Sequence, residues 1–150
     1  MMKAAGVNGN RVSILLIEDN PDDITLTLNV FKKNNLLNKV HVLKDGVEAL
    51  DFLFSTGVYA DKPQNGPELI LLDLNLPKMH GLDVLKKIKS DERTKNLPVV
   101  ILTASQEERG VMQSYKLGAQ GCIVKPFEFQ KFLEAVTELR LAWVLIAPSE

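Results

Sequence analysis

Short runs of consecutive apolar residues alternate along this chain with longer stretches in which apolar positions recur every three or four residues. The short runs, rich in Val, Ile and Leu, read as strands covered on both faces; the longer stretches read as helices with one buried stripe. Val12 to Ile17 is the first strand. Asn20-Pro21-Asp22-Asp23 follows: a side chain able to cap free amides, a proline suited to a first turn, and two acids at a helix's positive end. That helix extends to about Lys33, with Ile24, Leu28 and Phe31 on one face. Val40 to Leu43 is a second strand and Gly46 to Phe54 a second helix. Leu69 to Leu72 is the central strand, and a helix from Leu82 to Lys89 turns Leu82, Leu85 and Ile88 inward. Val99 to Leu102 and Gly121 to Val124 are the last two strands, separated by a helix over about Gln106 to Leu117 and followed by a final helix from Phe127. Strict alternation of five strands and five helices predicts an α/β fold on a parallel sheet, with no internal repeat. The one long connection, Ser55 to Pro67, is rich in Gly, Pro, Asn and Asp, and fits a functional loop or a tolerated surface insertion equally well.

In open sheets of this kind, sites form beyond the carboxyl ends of the strands, where the strand order reverses. The residues there are Glu18-Asp19 after the first strand, Asp73 after the third, Thr103 after the fourth and Lys125 after the fifth. The flavodoxin-like order 2-1-3-4-5 makes the first and third strands neighbours, so Asp19 and Asp73 converge. Three carboxylates on one rim repel unless a cation compensates, and Mg²⁺, which prefers oxygen ligands, is the natural candidate. Asp73 could accept a phosphoryl group while touching the metal, with Lys125 supplying a charge and Thr103 a hydroxyl to its oxygens. His41 and His80 are isolated and read as structural.

Eighteen Lys and Arg against nineteen Asp and Glu give a net charge of −1, which leaves no bulk basic field for nucleic acid. Cys122 is the only cysteine, so no internal disulfide can form, as expected of a reducing compartment. MMKAAGVNGN lacks the apolar segment of a secretory signal, and the longest late apolar run, Ala142 to Ala147, is far short of the ~18 residues of a membrane span. The expectation is a cytoplasmic protein, with residues 1–11 a flexible leader and 12–147 a single domain.

The motifs "LLIEDNPDD", "LILLDLNLPKMHGLDVL", "PVVILTAS" and "LGAQGCIVKPF" together resemble the receiver domain of bacterial response regulators, over roughly Val12 to Val136. The resemblance implies a CheY-like fold and phosphorylation of Asp73 by a partner histidine kinase in a two-component system or phosphorelay. It implies Asp19 as a direct Mg²⁺ ligand, Glu18 as the second acid acting through water, and the backbone carbonyl of Asn75 as a further ligand. Thr103 resembles the switch hydroxyl and Lys125 the phosphate-contacting lysine, with a cis bond to Pro126. Gly81 fits the turn before the third helix. Two positions depart from the family's commoner pattern: Glu18 stands for Asp, and Cys122 stands where many receivers carry Tyr or Phe. Glu18-Asp19-Asn20-Pro21, the long segment after "DGVEALDFLF" and the late Trp143 resemble the small stand-alone regulators paired with bacterial and cyanobacterial phytochrome kinases.

A haloacid dehalogenase-type phosphohydrolase also uses a strand-end Asp with Mg²⁺, but needs a second Asp where this chain has Asn75. A flavodoxin-like cofactor binder would need a phosphate loop where Glu18 to Asp23 is acidic, and a receiver that only docks would not need the full Asp19, Asp73, Thr103 and Lys125 set. With the sequence ending at Glu150, no output domain is expected, and the signal is expected to leave by surface contact or by passing the phosphoryl group on. Phe129, Phe132, Val136, Leu139, Trp143 and Ile146 are spaced as an apolar heptad seam. A continuous helix from Phe127 to Ile146, ~30 Å long, would overhang the sheet, carry Leu139, Trp143, Val144 and Ile146 toward water, and form a homodimer or partner contact.

Overall fold

Neighbouring side chains on a strand point to opposite faces, so a strand covered on both sides must be apolar throughout. The computed structural model, which describes residues 14–36, 38–61, 66–104 and 108–139, shows this in three central strands. β1 (Ile14–Ile17), β3 (Leu69–Asp73) and β4 (Val99–Thr103) are buried at every residue. β2 (Val40–Leu43) and β5 (Gly121–Val124) form the edges. All pairs are parallel, in the expected order β2-β1-β3-β4-β5. The helices are α1 (Pro21–Lys33), α2 (Gly46–Phe54), α3 (Gly81–Ser90), α4 (Glu108–Lys116) and α5 (Phe129–Glu138).

The alternation divides the core in two. Ile14, Leu16, Leu69 and Leu71 meet Phe31 of α1 and Phe132 of α5 on one face. Leu15, Ile17, Ile70 and Leu72 meet Leu53 of α2 and Leu85 of α3 on the other. Phe31 is the hinge of an aromatic cluster, edge-on to Phe127 at 5.2 Å and to Phe132 at 4.9 Å. Asn20 caps α1 as expected, its side-chain oxygen accepting from the amides of Asp22 (2.8 Å) and Asp23 (3.1 Å). Thr27, which the apolar pattern passes over because its hydroxyl reads as polar, is buried beside Phe31 on α1.

Two expectations about the last helix need correction. It begins at Phe129 rather than Phe127, because Glu128 is extended and Phe127 lies in the core instead of the first turn. The described part runs to Glu138, with the Leu139 amide still donating to Ala135 at 3.1 Å in the helical pattern, and the Leu139 side chain packs partly on the core rather than turning toward water; the expected continuation to Ile146 lies outside the described residues. The ten described residues at ~1.5 Å each make ~15 Å, close to the length of the strands beneath. Trp143, Val144 and Ile146 lie outside the described residues, as do Val12, Gln106 and the leader.

The first half of the long connection is anchored. Ser55 ends α2 with φ 56°, the Thr56 hydroxyl donates to Asp51 at 2.8 Å, and a 3₁₀ turn over Gly57–Tyr59 sets Tyr59 edge-on against Phe52. Residues 62–65 of the connection are not among those described. No helix among the described residues is long and apolar enough to cross a membrane.

Candidate functional site

Parallel pairing delivers the carboxyl ends of all five strands to one edge, and the order reverses between β1 and β3. Ile17 pairs with Leu72, so the next residues, Glu18 and Asp73, emerge side by side. The Glu18 amide donates to Leu43 at 2.9 Å, carrying the β1–β2 ladder one residue further and holding the acid at the sheet's edge. Glu18 and Asp73 are 1% and 4% exposed, while Asp19 is open to solvent. One oxygen from each of the three lies within 4.8 Å of the others.

Lys125, carried in by β5, is the cation of this group. Its Nζ stands 2.7 Å from Glu18 Oε1, 3.1 Å from Asp73 Oδ2 and 2.8 Å from Asp23 Oδ2. The other Asp73 oxygen, Oδ1, accepts from the Asn75 amide at 2.9 Å, and Glu18 Oε2 accepts from the Asn20 amide at 3.2 Å. Burial is the main reason the Glu18 carboxyl is pushed up to about 7, with Asp73 adding to the rise and Lys125 opposing it. Burial also pulls on the Lys125 ammonium, but its hydrogen bonds to Asp23 and Glu18 and the Asp73 charge hold it above its usual value. Glu18, Asp73 and Asp23 thus share one ammonium.

Thr103 is buried at the end of β4, and its carbonyl accepts the Lys125 amide at 2.8 Å, which ties these two strand ends together. Asn75 is exposed, two residues beyond Asp73. Lys125–Pro126 is cis. His41 stacks on Phe52 and His80 caps α3 through Nδ1, so neither histidine enters the site. Cys122 is half-buried on β5, and burial pushes its thiol up. An aromatic ring is nevertheless nearby: Tyr115 of α4 lines the same groove of about 320 Å³.

Asp23 is the participant that sequence reasoning assigned only to the helix dipole. Its signal is weak, since Asp22 beside it has the same charge and the same cap bond, and only the facing of α1 sends Asp23 to Lys125. Gly81 matters for a reason other than turn flexibility. A Cβ there would stand 2.5 Å from the Asp73 carbonyl oxygen and 2.6 Å from Leu74 Cα, so α3 starts against the backbone of the site itself.

The oxygen set fits a small hard cation. Ligands on one octahedral Mg²⁺ at ~2.1 Å stand about 3–4.2 Å apart, so a group already within 4.8 Å needs only a modest closure. Burial, with the neighbouring Asp73 carboxyl adding to it, holds the Glu18 carboxyl up, and a bound cation would offset both.

The model of the response regulator receiver domain family matches residues 14–137. The chain belongs to that family. This receiver is 37% identical over 131 residues to the response regulator Rcp1 of Synechocystis sp., covering 87% of this chain and 88% of that one. The Mn(2+)-bound form of Rcp1 superposes with a TM-score of 0.73 at 35% identity, covering 91% and 99% of the two chains. The bacteriophytochrome response regulator AtBRR is 45% identical with a TM-score of 0.83, over 92% of this chain and 99% of its own. The phosphorylated cyanobacterial phytochrome response regulator RcpA is 35% identical with a TM-score of 0.74, over 92% and 99%. The receiver is accordingly a response regulator of two-component signalling, most akin among these to phytochrome-linked regulators.

Proposed function

We propose that this receiver accepts a phosphoryl group on Asp73 from a sensor histidine kinase, in a reaction that needs Mg²⁺. The observation that carries the reading is the setting of Asp73: a buried carboxylate at the switch point, one oxygen on Lys125 and the other on the Asn75 amide. An Asp73 oxygen attacks phosphorus as the P–N bond of a phosphohistidine breaks, and the electron pair stays on the imidazole nitrogen, which takes up a proton. Lys125 leaves its carboxylates to meet a phosphoryl oxygen, with Asp23 at the rim keeping one contact for the ammonium. Thr103 donates its hydroxyl to another phosphoryl oxygen. Glu18, Asp19, Asp73 and the Asn75 carbonyl would hold the metal, which neutralises charge on the transferring group. Water attack on phosphorus later returns the carboxylate, so the chain catalyses its own phosphorylation and dephosphorylation and turns over no other substrate.

The likeness to Rcp1, AtBRR and RcpA supports a kinase of the phytochrome kind and a cytoplasmic setting. Incubation with a small acyl phosphate and Mg²⁺ should load one phosphoryl group per chain, and chelation of the metal should prevent it. Equal loading in the presence of chelator would overturn the reading. The heptad seam that continues from α5 to Ile146 is proposed to join two copies. Sedimentation should then show a dimer that a chain ending at Arg140 cannot form, and a full chain that stays monomeric at high concentration would refute it.

A further inference from the structure

We propose that the groove between α3 and α4 docks an acidic segment of a partner protein, and that phosphorylation of Asp73 alters the fit. The inference rests on the phosphoacceptor reading and says where its signal is read. The groove is about 470 Å³, with Leu74, Leu82 and Leu117 among its lining. It continues along α3 into a second depression of about 540 Å³ that shares His80, Asp83 and Lys86 with it.

Charge identifies the occupant. Lys86 and Arg109 stand on opposite walls, Lys78 and Lys87 line the extension, and Asp83 is the one acid among the described lining residues. Such a cluster is local, because the whole chain carries a net charge of −1. Lys78 is already engaged, 3.5 Å from Asp45, but no ion pair among the described residues occupies Lys86, Lys87 or Arg109. An apolar floor between these cations suits a segment that offers carboxylates around an aliphatic side chain. Nucleic acid fits less well, since the lining offers no aromatic platform for bases other than His80. The groove between α4 and α5 differs in sign, its described lining carrying Glu134 and Glu138 with Lys131.

Position supplies the coupling. One wall starts at Leu74 and Asn75, immediately after the acceptor, and the Asn75 amide is bound to Asp73 Oδ1 at 2.9 Å. The Leu74 carbonyl is held by the Gly81 amide at 2.9 Å, which links that wall to the start of α3. The opposite wall, Arg109 to Gln113 of α4, follows Thr103 in the chain. A phosphoryl group that engages the Asp73 oxygens and Thr103 therefore acts at the strand ends from which both walls follow.

A short synthetic peptide of Glu and Leu, its Lys and Leu counterpart and a short single-stranded DNA would each be titrated into isotope-labelled protein, with and without beryllofluoride and Mg²⁺. The Glu/Leu peptide should move the amides of Leu82, Lys86, Gly110 and Gln113, with an affinity that changes at least about threefold on adding beryllofluoride. Lys86→Glu with Arg109→Glu, both exposed, should weaken it about tenfold while phosphoryl uptake from a small donor stays normal. Shifts centred on α5, equal binding of the Lys/Leu peptide, tighter binding of DNA, or no shifts at saturating peptide would overturn the proposal. Failure of the wild-type chain to take up phosphate would instead strike the phosphoacceptor reading and remove the coupling with it.

Discussion

Lys125→Met is expected to destabilise the metal-free receiver by about 3 kcal/mol at pH 8, a fall in Tm of about 10 °C. The substitution keeps the volume of the aliphatic stem but removes the cation shared by Glu18, Asp73 and Asp23 at 2.7–3.1 Å. Glu18 and Asp73 then face each other buried and uncompensated. The loss should depend on pH with a definite sign. Glu18 titrates near 4.5 when unfolded and near 7 in the fold, so between these values the folded chain binds more protons and stability falls as pH rises. Lys125 lowers the folded value, so without it the fall extends above pH 7 and the variant loses most at pH 8. Millimolar Mg²⁺ should restore much of the stability, because metal would bind without displacing an ammonium. Thermal melts at pH 6 and 8, with and without Mg²⁺, decide the matter: a loss independent of pH and metal would mean that Lys125 matters only for packing.

Gly81→Ala should cost about 3 kcal/mol, at the upper end for overpacking, because the added methyl would meet backbone rather than a side chain able to move aside. The Asp73 carbonyl at 2.5 Å and Leu74 Cα at 2.6 Å cannot yield without displacing the end of β3. Phosphoryl uptake should therefore fall along with the melting temperature, even though residue 81 touches no phosphate. Chemical denaturation together with the loading assay would test this. A variant as stable and as readily loaded as wild type would show that α3 shifts freely against β3.

The fold was readable because its signals are redundant. Leu69 to Leu72 and Val99 to Leu102 are apolar at every position, which in a parallel sheet leaves only a buried strand as the outcome. Asn20-Pro21 marks the start of α1 by cap chemistry alone. The acidic cluster was readable through position, since strand ends are the one place where a polar residue interrupts such a run. What stayed hidden depends on tertiary distances. Asp23 differs from Asp22 only in which way the first turn of α1 faces, and Gly81 is required by an approach between two elements that no local pattern records. The start of α5 misled because Phe127 looks like a first apolar helix position, whereas Glu128 is extended and Phe127 belongs to the core.

The central claim is that the phosphoryl group resides on Asp73, and mapping the acyl phosphate tests it most directly. Protein loaded with a small phosphodonor and Mg²⁺ would be treated with borohydride, which reduces an aspartyl phosphate to homoserine, then digested and sequenced by mass spectrometry. The account predicts homoserine at position 73 alone, and none after loading of Asp73→Asn. Homoserine at Asp19 or Asp23 in the wild-type chain, or undiminished labelling of the Asp73→Asn protein, would contradict it.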